Sequence, residues 1–330
     1  MQASAQNQGY VDLVGEEYGK VAALTRAQVV AIQNNAELGN PEAQLQYGMV
    51  CETRYKLLGI SIGEGQAQAL GWYERAAKQG NALAQRLAAG LSIGHPAAEI
   101  QWYEQAAKQG DIGSAYSLGE IYLQGILSGK PDPTEAARWF LIAAKGGDAD
   151  AAIKIGSFYE DGYGVPRDDS EAAKWYRVAA NQGYWPAQLA LGRLYEAGQG
   201  VPRDTLQAAR WYSKASYRSG DAAFNYASLI ARGLITGKNR RDAEFLYRQA
   251  AKLYRSDAIN GDSAAPQKLG HMYESIAGMP RSLTEAYFWY LIAKEEGSAA
   301  DADVERVKLR LTSKQISDTD ERVAKWLDAF

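Results

Sequence analysis

Cysteine and histidine are scarce in this sequence of 330 residues, which contains one cysteine, Cys51, and two histidines, His95 and His271. A single cysteine can form no intramolecular disulfide and cannot supply the several thiolates of a structural zinc site. The two histidines lie far apart in the sequence, without the neighbouring ligands or nucleophile that a metal or catalytic site needs. We therefore expect no cofactor, no metal and no catalytic residue, and we interpret Cys51 as a buried, unreactive thiol.

A strong charge of one sign and long apolar runs are also missing. The net charge is −3, with both signs mixed along the chain, so nothing predicts the basic surface of a nucleic-acid-binding protein. The basic residues Lys238, Arg240 and Arg241 are interpreted as the solvated start of a helix. No apolar run approaches the roughly 20 residues that a membrane-spanning helix needs.

Residues Met1–Tyr10 lack the charged start and the apolar stretch of a secretion signal. Two alternatives remain open. The chain is cytoplasmic, or it is a mature exported protein whose signal or lipid anchor has been replaced by Met1. Because the small polar residues of this N-terminal segment resemble the tether that follows an export site, we favour a periplasmic location.

Repetition is what the sequence has in abundance. The stretches KIGSFYEDGYGVPRDDSEAAKWYRVAANQG (154–183) and LGRLYEAGQGVPRDTLQAARWYSKASYRSG (191–220) share their glycines, a Gly-Val-Pro-Arg-Asp run, paired alanines and a Trp-Tyr pair. A fixed period of this size is typical of proteins built from stacked repeats, each of which packs only on its neighbours.

Two markers identify seven repeats. The first is an aromatic pair in the second helix, at positions 72–73, 102–103, 139–140, 175–176, 211–212, 246–247 (Leu-Tyr) and 289–290. The second is a glycine in the first helix, at 48, 119, 156, 192 and 270, replaced by Ala89 and Ala227. Since glycine in a helix costs about 0.5–1 kcal/mol against alanine, we expect it to mark a close helix crossing. We expect the aromatic pairs to fill the wider gaps between hairpins.

The loops Gly162–Asp168 and Gly198–Asp204 are rich in glycine, which raises the question of phosphate binding. Each follows a helix instead of a strand, and neither the dinucleotide fingerprint nor the P-loop pattern is present. We interpret both loops as structural turns.

The predicted fold is all-α, a right-handed α-solenoid of stacked antiparallel helical hairpins. Residues 1–39 form an N-terminal tether and capping helices, 40–297 form the seven hairpins, and 298–330 form C-terminal capping helices. The repeat pattern is irregular in the long loop 53–66, in the short loop 92–96 and at 253–263. We expect these places to give the surface its individual character.

With these residues in hand, the chain resembles the Sel-one-like repeat family, a branch of the tetratricopeptide-like helical hairpins. The residues that match its pattern most closely are Ala187, Leu191, Gly192, Tyr195, Gly198, Gly200, Val201, Asp204, Ala208, Trp211 and Tyr212. The resemblance implies a bacterial interaction scaffold, since such proteins serve as envelope adaptors, in exopolysaccharide assembly, in host-cell interaction and as immunity proteins. Every matched residue is structural, so the resemblance implies a fold and no catalytic residue.

Candidate partner-binding residues come from two sources. Trp185 is the one tryptophan outside the repeat position and the closing helix, and it follows Tyr184 at a turn that is polar in other repeats. It is either a binding anchor, as tryptophan often is, or a local packing residue. The resemblance also implies that first helices line a concave side, whose polar residues are Glu120, Gln124, Ser157, Glu160, Arg193, Glu196 and Arg232. They form a partner surface or an ordinary solvated face.

Three functions remain open at this point. The leading hypothesis is a non-enzymatic periplasmic scaffold that binds and neutralises a secreted effector, as an immunity protein does. The alternative is a structural adaptor in an envelope or exopolysaccharide assembly complex. The third is a hydrolase with His95 or His271 in the groove.

Overall fold

The computed structural model describes residues 15–92, 94–275 and 281–329, and all regular secondary structure in these ranges is helical. Residues 15–22 are helical and are followed by the helices that we number from α1. The predicted tether, residues 1–10, and the start of the first predicted helix lie outside the described residues.

The helices fall into consecutive pairs with short connections. Their bounds are α1 Arg26–Glu37, α2 Pro41–Thr53, α3 Ile62–Lys78, α4 Ala82–Leu91, α5 Pro96–Lys108, α6 Ile112–Gln124, α7 Pro133–Lys145, α8 Ala149–Asp161, α9 Asp169–Asn181, α10 Trp185–Ala197, α11 Thr205–Ala215, α12 Gly220–Ala231, α13 Arg240–Ile259, α14 Ala265–Ser275, α15 Leu283–Glu295, α16 Asp301–Lys308 and α17 Ser313–Leu327.

The chain divides into two compact units, of which the first ends at Gln182 and the second begins at Gly183. In the first unit α2 pairs with α3, α4 with α5, α6 with α7 and α8 with α9. In the second unit α10 pairs with α11, α12 with α13 and α14 with α15, while α16 and α17 pack on α15. The predicted all-helical fold of consecutive hairpins is confirmed. Within the described ranges, no helix is both long enough and apolar enough to cross a membrane.

One contact recurs inside the hairpins, between the glycine of the first helix and the second aromatic residue of the pair. A Cβ atom built on Gly192 would lie 2.5 Å from Cε1 of Tyr212, closer than any side chain permits. The same ring-on-glycine contact joins Gly48 to Tyr73, Gly119 to Phe140, Gly156 to Tyr176 and Gly270 to Tyr290. The prediction of a close crossing at the glycines is confirmed. The prediction that both aromatic residues fill gaps between hairpins holds only in part for the second one, which packs within its own hairpin, while Phe140 also meets Phe158 of the next hairpin.

Where the second aromatic residue is a tyrosine, its hydroxyl group is buried with the ring and needs a hydrogen-bond acceptor. In four hairpins that acceptor is a glutamate one helical turn after the glycine, a spacing that places both on the same side of the helix. The donated bonds are Tyr73 to Glu52 at 2.7 Å, Tyr176 to Glu160 at 2.7 Å, Tyr212 to Glu196 at 2.9 Å and Tyr290 to Glu274 at 2.9 Å. Burial, helped by the adjacent carboxylate, raises the pKa of Tyr212 above its ordinary value.

Glutamine side chains join successive hairpins of the first unit. The Gln44 amide donates to the carbonyl of Ala36 at 3.1 Å, and Gln79 donates to the Gln44 oxygen at 2.8 Å. Gln85 repeats this arrangement with the carbonyl of Ala77 and the amide of Gln109. The carbonyls of Ala36 and Ala77 also accept backbone amides of Gly39 and Gly80, so each glutamine adds a second bond to a helix end and ties that end to the next helix.

The glycine-rich loop between α8 and α9 is held by the fold itself. Gly162 ends α8 in the left-handed conformation, with φ 68°, which favours glycine. The Asp168 amide donates to the carbonyl of Tyr159 at 2.8 Å, and its carboxylate accepts from the first amides of α9. A Cβ on Gly164 would collide with the carbonyl of Pro133. These contacts support the interpretation of the loop as a structural turn.

We predict that Gly192→Ala lowers the free energy of unfolding by about 1–3 kcal/mol, because the added methyl group meets the rigid, buried ring of Tyr212. Gly71, also inside a helix, has open space where its Cβ would be. Gly71→Ala should therefore raise stability by about 0.5–1 kcal/mol through helix propensity alone. Urea titrations followed by circular dichroism measure both effects, and equal effects of the two substitutions would contradict the ring-on-glycine contact.

Candidate interaction surface

The predicted polar residues of the first helices are largely engaged within the chain. In the first unit Glu120 pairs with Lys154 of the next hairpin at 3.0 Å. Glu160 accepts the Tyr176 hydroxyl, and the Ser157 hydroxyl bonds to Asp161 at 3.1 Å. Gln124 is exposed at the end of α6, and its side chain has no hydrogen-bond partner among the described residues.

In the second unit the same pattern links neighbouring hairpins. Arg193 pairs with Asp221 at 3.5 Å, and Arg232 pairs with Glu196 at 3.3 Å. Glu196 also accepts the Tyr212 hydroxyl. Exposed ion pairs of this type contribute about 0–1 kcal/mol each, so they orient the side chains more than they stabilise the fold. A partner at this surface would meet paired charges.

Asp221 is the centre of a cluster that the sequence analysis missed. Its carboxylate accepts from Lys268 at 2.8 Å and from the Tyr254 hydroxyl at 2.6 Å, and it faces Arg193. Burial alone would raise the pKa of Asp221, but the bonds from Lys268 and Tyr254 outweigh it and lower that pKa. Tyr254 also lies against Gly220, where a Cβ would be 2.6 Å from its ring. The cluster therefore fixes the start of α12 against α13 and α14.

Glu274 is the centre of a second cluster, which holds the terminal helix α16. The buried carboxylate binds Arg306 at 2.6 Å, Arg310 at 3.3 Å and the Tyr290 hydroxyl at 2.9 Å. The bond from Arg306, followed by that from Tyr290, lowers the pKa of Glu274 in spite of its burial. An acidic group of this kind gains its stabilising effect only when it is ionised.

His271 lies at the edge of the second cluster. Its Nδ1 is 3.0 Å from the Tyr290 hydroxyl, and its Nε2 is 3.8 Å from Asp303. His95 occupies the N-cap position of α5 without a side-chain cap bond. The two histidines thus lie in different units, and His271 contributes to the contacts that dock α16.

Cys51 is fully buried in the core of the first unit. Burial raises the pKa of its thiol to about 11, so the reactive thiolate is rare near neutral pH. Over the ranges that the structure describes, no group of three or more His, Cys, Asp and Glu side chains is placed to hold a metal ion.

Tyr184 and Trp185 lie near the start of the second unit, as the N-cap and the first residue of α10. Both side chains are exposed, Trp185 to 37%. The first helices of other hairpins have a capping side chain where Tyr184 stands, which accepts from the third helical amide; these residues are Asn40, Asn81, Asp111, Asp148 and Ser219. Tyr184 makes no such cap bond.

A cleft of about 380 Å³ in the second unit was also missed. It lies between the end of α11, the helix α12 and the start of α13, and is lined by Ser213, Ser216, Tyr217, Tyr226, Ile230, Lys238, Asn239, Arg241, Asp242, Phe245 and Leu246. Tyr217 is 77% exposed and Phe245 62%. The sequence does carry a signal for both, since each replaces the polar or small residue found at its position in most other repeats.

The Sel1 repeat profile matches seven segments of the chain, residues 41–81, 100–111, 113–148, 149–184, 185–219, 220–254 and 267–298. No curated protein matches the chain significantly.

Solved structures that resemble the chain are also repeat proteins. A protective antigen of uropathogenic Escherichia coli with an SLR fold is 26% identical, with a TM-score of 0.62 over 90% of this chain and 71% of that protein. A Sel1 repeat protein of Oxalobacter formigenes is 24% identical, with a TM-score of 0.62 over 87% and 83% of the two chains. An immunity protein of Pseudomonas aeruginosa is 18% identical over 61% of this chain and 80% of that protein. Its TM-score of 0.33 is too low to support an argument about this chain.

We predict that Glu274→Gln lowers the free energy of unfolding by about 1–3 kcal/mol at pH 7, because Arg306 and Arg310 lose a buried partner. The pKa of Glu274 is depressed in the folded chain, so its contribution is present above the ordinary value of 4.5 and is lost as the pH falls through the folded value. The difference between wild type and variant should shrink on acidification. Chemical unfolding at a series of pH values measures it.

Glu321→Gln is the matched control for this prediction, since Glu321 forms an exposed pair with Lys325 on α17. It should change stability little at any pH. A loss in Glu274→Gln no greater than in this control would contradict the role of the cluster.

Proposed function

The chain belongs to the Sel1 repeat family, and from this premise we propose that it is a non-enzymatic scaffold that binds another protein. Sel1 repeats build interaction scaffolds, in which the repeats supply the framework and individual side chains supply recognition. The observation that carries the proposal is the exposed pair Tyr184 and Trp185, at a helix start where other repeats place a capping residue.

The replacement of a capping residue by Tyr184 is informative because it lowers helix stability. A side-chain N-cap contributes about 1 kcal/mol to a helix, and Tyr184 gives up that contribution. Tryptophan and tyrosine are enriched at binding hot spots, because they bury a large area with few rotatable bonds. A fold optimised for stability alone would keep Asp or Asn here, as the preceding hairpin does with Asp148.

In its finer form, the proposal is that this protein acts in the periplasm and neutralises a secreted effector, in the manner of an immunity protein. A relative of 26% identity is a protective antigen, which supports a place outside the cytoplasm. The irregular loop 53–66 supports recognition of an individual partner, since it departs from the repeat pattern. The alternative, an adaptor in an envelope or exopolysaccharide assembly, differs in the number and kind of partners.

We expect the purified chain to bind the product of a neighbouring gene and to inhibit its activity. Co-elution in size-exclusion chromatography measures the binding, and growth of cells that express both proteins measures the neutralisation. A neighbouring product that is neither bound nor inhibited would refute the inhibitor. Recovery of several envelope components in its place would favour the adaptor.

We also expect the double variant Tyr184→Asp with Trp185→Ala, which restores the residues of the preceding hairpin, to bind the partner at least roughly tenfold more weakly. Its stability should be unchanged or higher by up to about 1 kcal/mol, because aspartate restores the cap. Isothermal titration calorimetry and a thermal melt measure the two effects. Full affinity in the double variant would mean that Tyr184 and Trp185 are packing residues.

A further inference from the structure

We infer that the cleft between α11, α12 and α13 binds a helical segment of a partner protein, which presents an apolar side chain with carboxylates beside it. The inference rests on the proposed scaffold function and gives that function a second, specific surface. Four side chains carry it: Tyr217 and Phe245, which are exposed aromatic residues at the cleft, and Lys238 and Arg241, which are cations on its lining.

Both aromatic residues depart from the repeat pattern. At the position of Tyr217, six residues after the first aromatic position of its repeat, the other repeats have Lys78, Lys108, Lys145, Asn181, Lys252 and Glu295. At the position of Phe245, repeats one to five have Gly71, Gln101, Arg138, Lys174 and Arg210. The fold therefore needs no aromatic side chain at either place. Exposed aromatic surface beside a cleft is typical of a site that a partner covers.

The seventh repeat shows what covers an aromatic residue at the position of Phe245. Its equivalent there is Phe288, which is only 6% exposed. Phe288 belongs to a core cluster with Val323 of α17, and the Arg322 guanidinium lies 4.8 Å from the centre of its ring. An amphipathic helix thus covers this position once within the chain. Phe245 presents the same kind of surface without that cover.

Two of the charges beside the two phenylalanines are shared, since Lys238 corresponds to Arg281 and Asp242 to Glu285, whereas Arg241 stands where the seventh repeat has Thr284. In the seventh repeat Glu285 pairs with Arg322 of the covering helix at 2.8 Å. In the sixth repeat the equivalent residue is Asp242, whose carboxylate accepts from the Asn239 amide in a capping box. Lys238 and Arg241 have no ion-pair partner among the residues that the structure describes. A covering helix with acidic side chains would complement these two unpaired cations.

The contacts of α17 argue against a second copy of this chain as the occupant. In each copy α17 already covers its own Phe288, with Arg322 paired to Glu285 and Lys325 to Glu321. The α17 of a second copy would have to give up these contacts to cover Phe245. The inference is therefore committed to a different protein with an acidic amphipathic helix.

The test uses the full chain and a defined peptide pair. The probe is a fluorescein-labelled peptide with the sequence of Ser313–Leu327 that carries Arg322→Glu and Lys325→Glu and a hydrocarbon staple between positions 314 and 318. The matched peptide keeps Arg322 and Lys325. Fluorescence anisotropy should give a dissociation constant on the order of 10–100 µM for the acidic peptide and a value at least roughly tenfold weaker for the matched peptide, whose side-chain charges balance.

Variants of the chain locate the binding. Phe245→Ala should weaken binding of the acidic peptide about tenfold, and Arg241→Ala about threefold, with the Arg241 effect reduced in high salt. Leu206→Ala is the control, since Leu206 is an exposed apolar residue of α11 that does not line the cleft. It should leave the affinity unchanged, and thermal melts should show that every variant is folded.

Three results would overturn the inference: no binding of the acidic peptide, equal binding of both peptides, or full binding by Phe245→Ala. Light scattering adds a fourth, a dimer of the wild-type chain that Phe245→Ala dissociates, because the occupant would then be a second copy. The proposed function is tested separately. A partner that binds the wild-type chain and Phe245→Ala equally refutes the cleft alone, whereas a peptide bound at the cleft without any protein partner refutes the scaffold function.

Discussion

The contact of an aromatic ring with a helix glycine is the constraint on which the hairpins depend. The ring of Tyr212 occupies the space where Gly192 lacks a side chain, so the two helices of that hairpin approach closely. The hydroxyl of the same ring needs Glu196 one turn further along, which fixes the rotation of the first helix as well as its distance. Glycine, tyrosine and glutamate thus specify one packing geometry, and phenylalanine at position 140 keeps the packing without the hydrogen bond.

This constraint also limits which polar residues of the first helices are available to a partner. Glu160 and Glu196 are among the polar residues of the first helices that the sequence predicts as a binding surface, yet each accepts a hydrogen bond from a tyrosine hydroxyl. Arg193 and Arg232 bind carboxylates of neighbouring elements. A partner at this face has to compete with these bonds or add to them, and desolvating a paired charge costs more than exposed pairing returns. Exposed aromatic side chains carry no such cost.

The sequence predicts the features that recur with the repeat period and few of those that do not. The recurrence of glycine at positions 156 and 192 predicted close helix crossings, and the aromatic pairs predicted the number of hairpins. The Asp221 and Glu274 clusters were not predicted, because their partners lie 47 and 32 residues away in the sequence and the repeat pattern does not relate them. Phe245 was within reach of a comparison at its own position. It lies directly before the aromatic pair, whose own irregularity in this repeat is Leu246, and so it is not one of the residues that define the repeat.

On the proposed function, recognition lies in the departures from the repeat pattern, once the departures that stabilise the fold are set aside. Tyr254 is such a departure, since its ring packs on Gly220 and its hydroxyl binds Asp221 inside the fold. Phe245 and Trp185 differ from Tyr254 because they are exposed to water instead of packed inside the fold. Both leave a large aromatic side chain in water, and at position 184 the chain also gives up a helix cap. The exposed part of such a side chain would gain apolar burial if another molecule covered it. On the proposed function, this exposure is what distinguishes the aromatic residues that recognise a partner from those that hold the hairpins together.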